Sequence, residues 1–185
     1  MPRFPNNSGE NFVTQSAIGA RKQDLDTPVL CIDLDVMEAN ISKMAERMQR
    51  GGKQWRPHEK CHKTPAIALK QMQAGAIGVT CAKVSEAEVM AAAGIRDILV
   101  ANMIVGRPKW ERVAALCRHA DPIIACDHFA QVEPLAATCR ERGVTCRVMI
   151  EVNIGLDRVG IRPGRDTVEL AQAIRSKMLS PVEVM

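Results

Sequence analysis

The chain has 185 residues, with 25 Lys+Arg against 21 Asp+Glu and a formal net charge of +4. An apolar fraction of 46% and a charged fraction of 25% exclude collagen-like, low-complexity and wholly disordered chains. The absence of any run of 18 apolar residues excludes a membrane-spanning helix of ordinary length, and a complete eight-stranded α/β barrel typically needs ~250 residues.

Three Phe, two Trp and no Tyr leave no stacking platform, and the small charge is dispersed, so no nucleic-acid partner is expected. Seven cysteines stand singly at 31, 61, 81, 117, 126, 139 and 146, without a CxxC pair. In a chain of this length they read as reduced cytosolic thiols.

Residues 1–23 are polar and lack an apolar signal-peptide core. They read as a flexible leader, and the expected location is cytoplasmic. Residues 28–34 (PVLCIDL) are predicted as a strand. Asp35 is placed to cap a helix through Arg50, with Met37, Ile41, Met44 and Met48 at helical spacing and Gly51-Gly52 ending it. Gln54–His58 is a second, more polar strand candidate. Thr64-Pro65 opens a helix that ends at Ala74-Gly75. Strands then follow at 76–82, 97–102, 123–127 and 145–153. Helices stand between and after them, from Ser85 to Gly94 and at 108–120, 128–142 and 164–176.

This alternation predicts βα units and a parallel sheet. Two architectures fit: an open doubly wound sheet, or part of a (β/α)8 barrel. No GxGxxG follows the first strand and no GxxxxGK[ST] occurs, so a nucleotide fingerprint is lacking.

Three segments could carry chemistry. Residues 56–64 (RPHEKCHKT) gather cations and two imidazoles at the end of a predicted strand, the end that faces the active site in parallel α/β folds. A lysine there, partly desolvated and near other cations, would have a lowered pKa and a nucleophilic amine. The same segment also reads as a solvated basic loop. Cys61 and His62 are neighbours pointing to opposite faces, a poor pair for one metal ion. Residues 151–160 (EVNIGLDRVG) follow the strongest strand. Arg158 could bind an anionic oxygen there, or the segment is a turn-rich loop with a surface arginine. Ser85 and Glu88 read as a capping box, and Asn102 as a pocket or turn residue.

The motifs resemble a known family. Leu25-Asp26-Thr27-Pro28, Ile32-Asp33-Leu34-Asp35 and Asn40-Ile41 look like its opening, and WRPHEKCHK looks like its R-P-H-x-K-[TC]-[HS]-K motif. VSEAEVMAAAGIRDILVAN and EVNIGLDRVGI continue the match in order, over about residues 24–175. The family is the D-threonine aldolase/D-serine dehydratase group of fold-type III pyridoxal-phosphate enzymes, related to alanine racemase.

The resemblance implies an α/β fold, a partial (β/α)8 barrel of the alanine racemase N-terminal type. Its strands would lie at 54–60, 76–82, 97–102, 123–127 and 145–153, with an incomplete barrel domain over 24–176. It places the cofactor-bearing catalytic lysine at Lys60 and a cofactor-binding arginine at Arg158, with His58 in the cofactor motif. Lys63 belongs to the motif without a definite role. The implied cofactor is pyridoxal 5'-phosphate. A divalent metal is expected in full-length relatives, with its ligands outside these residues. The implied substrate is a small D-3-hydroxy amino acid, cleaved between Cα and Cβ to glycine and an aldehyde. D-serine dehydration, racemisation and cofactor binding without turnover are the alternatives. A homodimer is expected for full-length relatives, and no membrane partner.

Relatives are roughly twice as long and continue with a Gly-Tyr-Glu-Gly-His-like segment, where residues 177–185 (KMLSPVEVM) do not match. The C-terminal β-domain is therefore expected to be absent. The chain reads as a fragment that binds the cofactor weakly and lacks aldolase activity.

Overall fold

The computed structural model describes residues 18–175 and the backbone of 182–184. The expected leader thus lies mostly outside the described residues. The chain divides into two units, residues 1–38 and 39–185.

In the first unit a short 3-10 turn, Lys22–Asp24, is held by Arg21 Nε donating to Asp24 Oδ2 at 2.7 Å. The strand expected at 28–34 does not form. Val29, Leu30 and Ile32 are exposed, and an extended run with no strand partner among the described residues gains no ladder hydrogen bonds. Helix α1 (Leu34–Arg50) begins one residue before the expected cap. Asp33, not Asp35, satisfies its first turn: Asp33 Oδ1 accepts from Val36 N at 3.1 Å.

In the second unit α1 ends at Gly52, whose φ of +59° is left-handed, and Lys53 N closes the end on Met48 O at 2.9 Å. Among the described residues five strands form one wholly parallel sheet: β1 (Val79–Cys81), β2 (Asp97–Val100), β3 (Asp121–Cys126), β4 (Cys146–Ile150) and β5 (Val182–Val184). Their spatial order is β1-β2-β3-β4-β5. Each new strand adds on the same side. A doubly wound sheet reverses direction at a switch point, so this order is that of a (β/α)8 barrel, of which it forms a part.

The helices between the strands are α2 (Pro65–Gln73), α3 (Val84–Ala92), α4 (Arg107–Leu116), α5 (Phe129–Arg142) and α6 (Arg165–Arg175). The strands are apolar nearly throughout because a parallel sheet is covered on its faces; in β3 five of six residues are buried. The core runs from Ala68 and Val79 through Met90, Ile98, Val113, Ile124, Val132 and Val148 to Leu170 and Ile174.

Several boundaries differ from the sequence expectation. Residues 54–60 give only a bridge, His58 to Thr80. The segment nevertheless runs beside β1, with Thr80 N donating to Pro57 O at 2.7 Å and Glu59 N to Thr80 O at 2.8 Å. Pro57 has no N–H to extend a ladder. The strand expected to reach Asn153 stops at Ile150, and a second bridge pairs Val152 with Ile161. Residues 182–184, where no element was expected, pair in parallel with β4.

The amino edge of the sheet is tied by charge. Arg56 donates to Asp97 Oδ1 at 2.8 Å, and Arg147 to Asp121 Oδ1 at 2.7 Å while also approaching Asp97 at 3.5 Å. A Cβ on Gly78 would stand 2.5 Å from Asp97 O, so glycine is what lets Arg56 cross there.

Candidate active site

Parallel strands share one carboxyl edge, and the chemistry-bearing segments gather there because each follows a strand or the bridge at His58. Residues 58–64 form a tight turn, closed by Lys63 N donating to Glu59 O at 2.7 Å. Lys63 adopts φ +52°. Thr64 starts α2 ahead of Pro65, but its hydroxyl donates back to His62 O at 2.7 Å instead of capping the helix.

Lys60 lies on this turn and is exposed, in contrast to the partial desolvation expected for it. His58 Nδ1 accepts from Lys60 N at 3.3 Å, which leaves the neutral ring's proton on Nε2. Burial, then the positive charge of Lys60, lowers the His58 pKa, partly offset by Glu86 and a hydrogen bond to the Thr80 backbone. His58 is therefore neutral at pH 7.

Glu59 is the residue that sequence reasoning missed. It occupies the unspecified position of the motif, and its side chain is 0% exposed. Alternation along an extended segment turns it away from His58 and Lys60, to the core side near Cys81. Burial pushes its carboxyl up to about 7. His62 Nε2 approaches Glu59 Oε2 at 2.6 Å. The approach is off the hydrogen-bond direction, and both carboxyl oxygens lack a hydrogen-bond partner among the described residues. His62 Nδ1 accepts from Thr64 N at 3.1 Å, so the proton of neutral His62 sits on Nε2, and that nitrogen too lacks a hydrogen-bond partner among the described residues. Burial also lowers the His62 pKa, against a smaller opposite effect of the Thr64 backbone. Cys61 is exposed while His62 turns onto Glu59.

The second segment, 151–164, is organised by Asn153. Its Oδ1 accepts from Gly155 N at 3.0 Å and Asp157 N at 3.2 Å, and its Nδ2 donates to Asp157 Oδ1 at 2.8 Å. Backbone bonds from Asn153 N to Ile161 O and from Ile161 N to Glu151 O close the base, each 2.9 Å. Arg158 projects from this loop and is exposed. Asp127, at the end of β3, holds the loop from below by accepting from Gly160 N at 2.8 Å. Neither Asp127 nor the hub role of Asn153 was anticipated. The Asn and Gly of N-x-G-x-x-R carried that signal: an amide able to bond its own turn, with glycine two residues on.

Asn102 is a junction residue. Its Nδ2 donates to Ala82 O at 2.9 Å and its Oδ1 accepts from Met103 N, linking the ends of β1 and β2. It also lines a groove of about 340 Å³ with Lys83, Ser85, Lys109 and Arg112. The expected Ser85–Glu88 capping box is not formed. Lys83 holds the cap position, Glu86 Oε2 accepts from Ala82 N at 2.8 Å, and Glu88 instead pairs with Arg112 on α4. Val84 already has helical geometry, which puts Glu86 in the third helical position. Among the described residues no group of three His, Cys, Asp or Glu side chains could hold a metal ion, and no helix is long and apolar enough to cross a membrane.

The topology brings Lys60, His58 and Arg158 to the same edge of the sheet. His58 and Lys60 are adjacent to β1, and Arg158 follows β4. This is the arrangement of an α/β-barrel domain whose candidate site is built from the loops after its strands. The chain belongs to the alanine racemase N-terminal domain family, which it matches over residues 32–185.

It is 34% identical over 157 residues to a 3-hydroxy-D-aspartate aldolase of Paracoccus denitrificans, covering 84% of this chain and 41% of the relative. To a D-threonine aldolase of an Arthrobacter species it is 37% identical over 151 residues, 82% of this chain and 40% of that one. To a D-threo-3-hydroxyaspartate dehydratase of a Delftia species it is 37% identical over 150 residues, 81% and 39%. The fold superimposes on a crystal structure of D-threonine aldolase from Filomicrobium marinum with a TM-score of 0.80 and 44% identity, covering 82% of this chain and 41% of that one. The chain thus spans about two fifths of the length of these relatives.

Proposed function

We propose that this chain is the lysine-bearing part of a pyridoxal-phosphate-dependent lyase of D-3-hydroxy amino acids, with Lys60 as the covalent anchor of the cofactor. The observation that carries the reading is Lys60 on a closed turn at the carboxyl edge of the sheet, within a motif that resembles the one expected of D-threonine aldolases. The residues present suit the cofactor's chemistry. A primary amine and a guanidinium stand exposed on one edge, and neither Lys60 nor Arg158 forms an ion pair among the described residues.

Lys60 would hold the cofactor through its amine, the nucleophile for the cofactor's aldehyde carbon, with water as the leaving group. When bound, the cofactor supplies an electron sink for negative charge developing at the substrate's Cα. Arg158 donates charge-assisted hydrogen bonds to an anionic oxygen. Its loop is held in shape by Asn153 and Asp127, so the guanidinium is presented without a loop rearrangement. His58 stays neutral and keeps a second positive charge away from the lysine.

The test is borohydride reduction of the protein with pyridoxal phosphate, followed by peptide mapping. A pyridoxyl adduct on Lys60, lost in Lys60→Arg, is expected. An adduct spread evenly over exposed lysines such as Lys53 and Lys63 overturns the reading. A dehydratase is the second reading, since the Delftia dehydratase and the Arthrobacter aldolase are equally similar to this chain, each 37% identical. In the whole protein, 2-oxo acid and ammonia formed in place of glycine and an aldehyde would select it.

A further inference from the structure

The Glu59 carboxyl has no task in the chemistry above, yet it is the one carboxylate that is fully buried among the described residues. Burying a carboxyl without hydrogen-bond partners is costly, so its place beside the turn of Lys60 calls for a physical account. Glu59 is fixed at both ends of its peptide: its N–H donates to Thr80 O at 2.8 Å, and its C=O accepts from Lys63 N at 2.7 Å. Its side chain reaches His62 Nε2 at 2.6 Å. His62 is fixed in turn by Thr64 N on Nδ1 and by the Thr64 hydroxyl on its carbonyl. Lys60 is thus enclosed by contacts at residues 59, 62, 63 and 64, and the Glu59–His62 approach is the side-chain contact that spans the turn.

We propose that Glu59 and His62 are a positioning pair that fixes the turn bearing Lys60 and thereby sets the rate at which its amine reacts with an aldehyde cofactor. The proposal rests on the cofactor reading above. Glu59 touches neither cofactor nor substrate; it acts through His62.

The groups around the pair leave its protonation as the local variable. On the turn itself the charged neighbours are Lys60 and Lys63. On β1 the facing group is Cys81, kept neutral because burial pushes its thiol up to about 12. On α3 it is Glu86, which accepts from Ala82 N. On α2 the buried residues are Ile67 and Ala68, and Lys70 is exposed. Burial favours the neutral carboxyl, so ionisation favours opening of the turn, and the hold on it weakens as pH rises through about 7.

The test measures two quantities on the full chain and on Glu59→Gln, Glu59→Asp and His62→Asn. One is the rate of pyridoxal-phosphate labelling of Lys60, trapped with borohydride, between pH 5.5 and 8.5. The other is amide hydrogen exchange of residues 60–64, which does not involve the cofactor. The wild-type labelling rate is expected to show an inflection near pH 7 beyond that of Lys53. His62→Asn slows labelling about tenfold at pH 6 and speeds exchange at 60–64, whereas Glu59→Gln, uncharged throughout, removes the inflection and keeps exchange at 60–64 at its low-pH rate through pH 8. The double variant Glu59→Gln/His62→Asn is no slower than His62→Asn, as for residues acting as a unit. Glu59→Asp restores part of the inflection. Labelling of Lys60 that is unchanged in both single variants overturns this inference alone, whatever the exchange shows. Absence of label from wild-type Lys60 overturns the cofactor reading, and the inference with it.

Discussion

Asp127 Oδ2 accepts the backbone N–H of Gly160 at 2.8 Å, so the end of β3 holds the loop that follows β4. The same carboxylate accepts from Gln131 Nε2 at 2.7 Å, which fixes its rotamer from the first turn of α5. The loop carrying Arg158 is therefore braced by a neighbouring βα unit as well as by its own turn. Asp127→Ala leaves the Gly160 N–H without this partner. It is expected to cost about 1–3 kcal/mol and to raise amide exchange at Gly160, measured by urea unfolding and exchange mass spectrometry. Unchanged exchange at Gly160 would contradict the brace.

Gly160 itself has no tolerant substitute. Its φ is +106°, and a Cβ there would stand 2.5 Å from Asn153 N and 2.8 Å from Val152 C. Both obstacles are backbone, so the loop must move. Gly160→Ala is expected to destabilise by about 2 kcal/mol or more, whereas Gly155→Ala, with open space around its Cβ position, carries only the φ penalty. Equal losses in the two variants would count against close packing at 160.

Glu59 gives stability a pH dependence with a definite sign. Its folded pKa, about 7, lies above its ordinary value of 4.5 because burial disfavours the charged form. The folded state therefore binds the proton more tightly than the unfolded state. The associated stability is fully present below about pH 4.5 and is lost as pH rises through about 7, by on the order of 3 kcal/mol. Glu59→Gln should remove this slope, so that the variant gains on the wild type between pH 5 and pH 8 in urea midpoints. A wild-type slope retained in the variant would place the titrating group elsewhere.

The thiols divide by burial. Cys31 and Cys61 are exposed, whereas Cys81 and Cys126 are buried with thiols pushed up to about 12. Cys146 is raised as well, by hydrogen bonds with Cys117 and Cys139 and by burial. The thiolate is the reactive form. Iodoacetamide at pH 8 should modify Cys31 and Cys61 first and reach Cys81, Cys126 and Cys146 only after denaturant is added. Peptide masses at timed quenches report the order, and early alkylation of Cys126 would refute it.

Asp97 at the amino edge holds Arg56, whose side chain is only 15% exposed. Asp97→Ala leaves that guanidinium short of its carboxylate. Partial exposure of Asp97 reduces the cost below that of a fully buried pair, to about 1–3 kcal/mol. A double-mutant cycle with Arg56→Met is expected to return a coupling of about 1 kcal/mol, and a coupling near zero would make the pair incidental.

Much of the fold is legible in the sequence. The helices from 65 to 175 follow apolar spacing and glycine stops, and each lies within a few residues of its expected place. The strands at 79–81, 97–100, 121–126 and 146–150 were visible as short apolar runs, because parallel strands are covered on their faces. The segment at 28–34 had the same local signal and formed no strand, since a strand is defined by its partner and no local pattern supplies one.

The residue identities by themselves determined the family and the motif that marks Lys60, because those are properties of order and spacing along the chain. Local pattern left the barrel and the doubly wound sheet equally open. The observed order β1-β2-β3-β4-β5 decided between them, since spatial neighbours are a long-range property. Only the tertiary structure turned Glu59 inward onto His62 and set Asp127 beneath the Arg158 loop. Burial and hydrogen-bond partners arise from segments that meet in space, and for Asp127 and Gly160 those segments lie 33 residues apart.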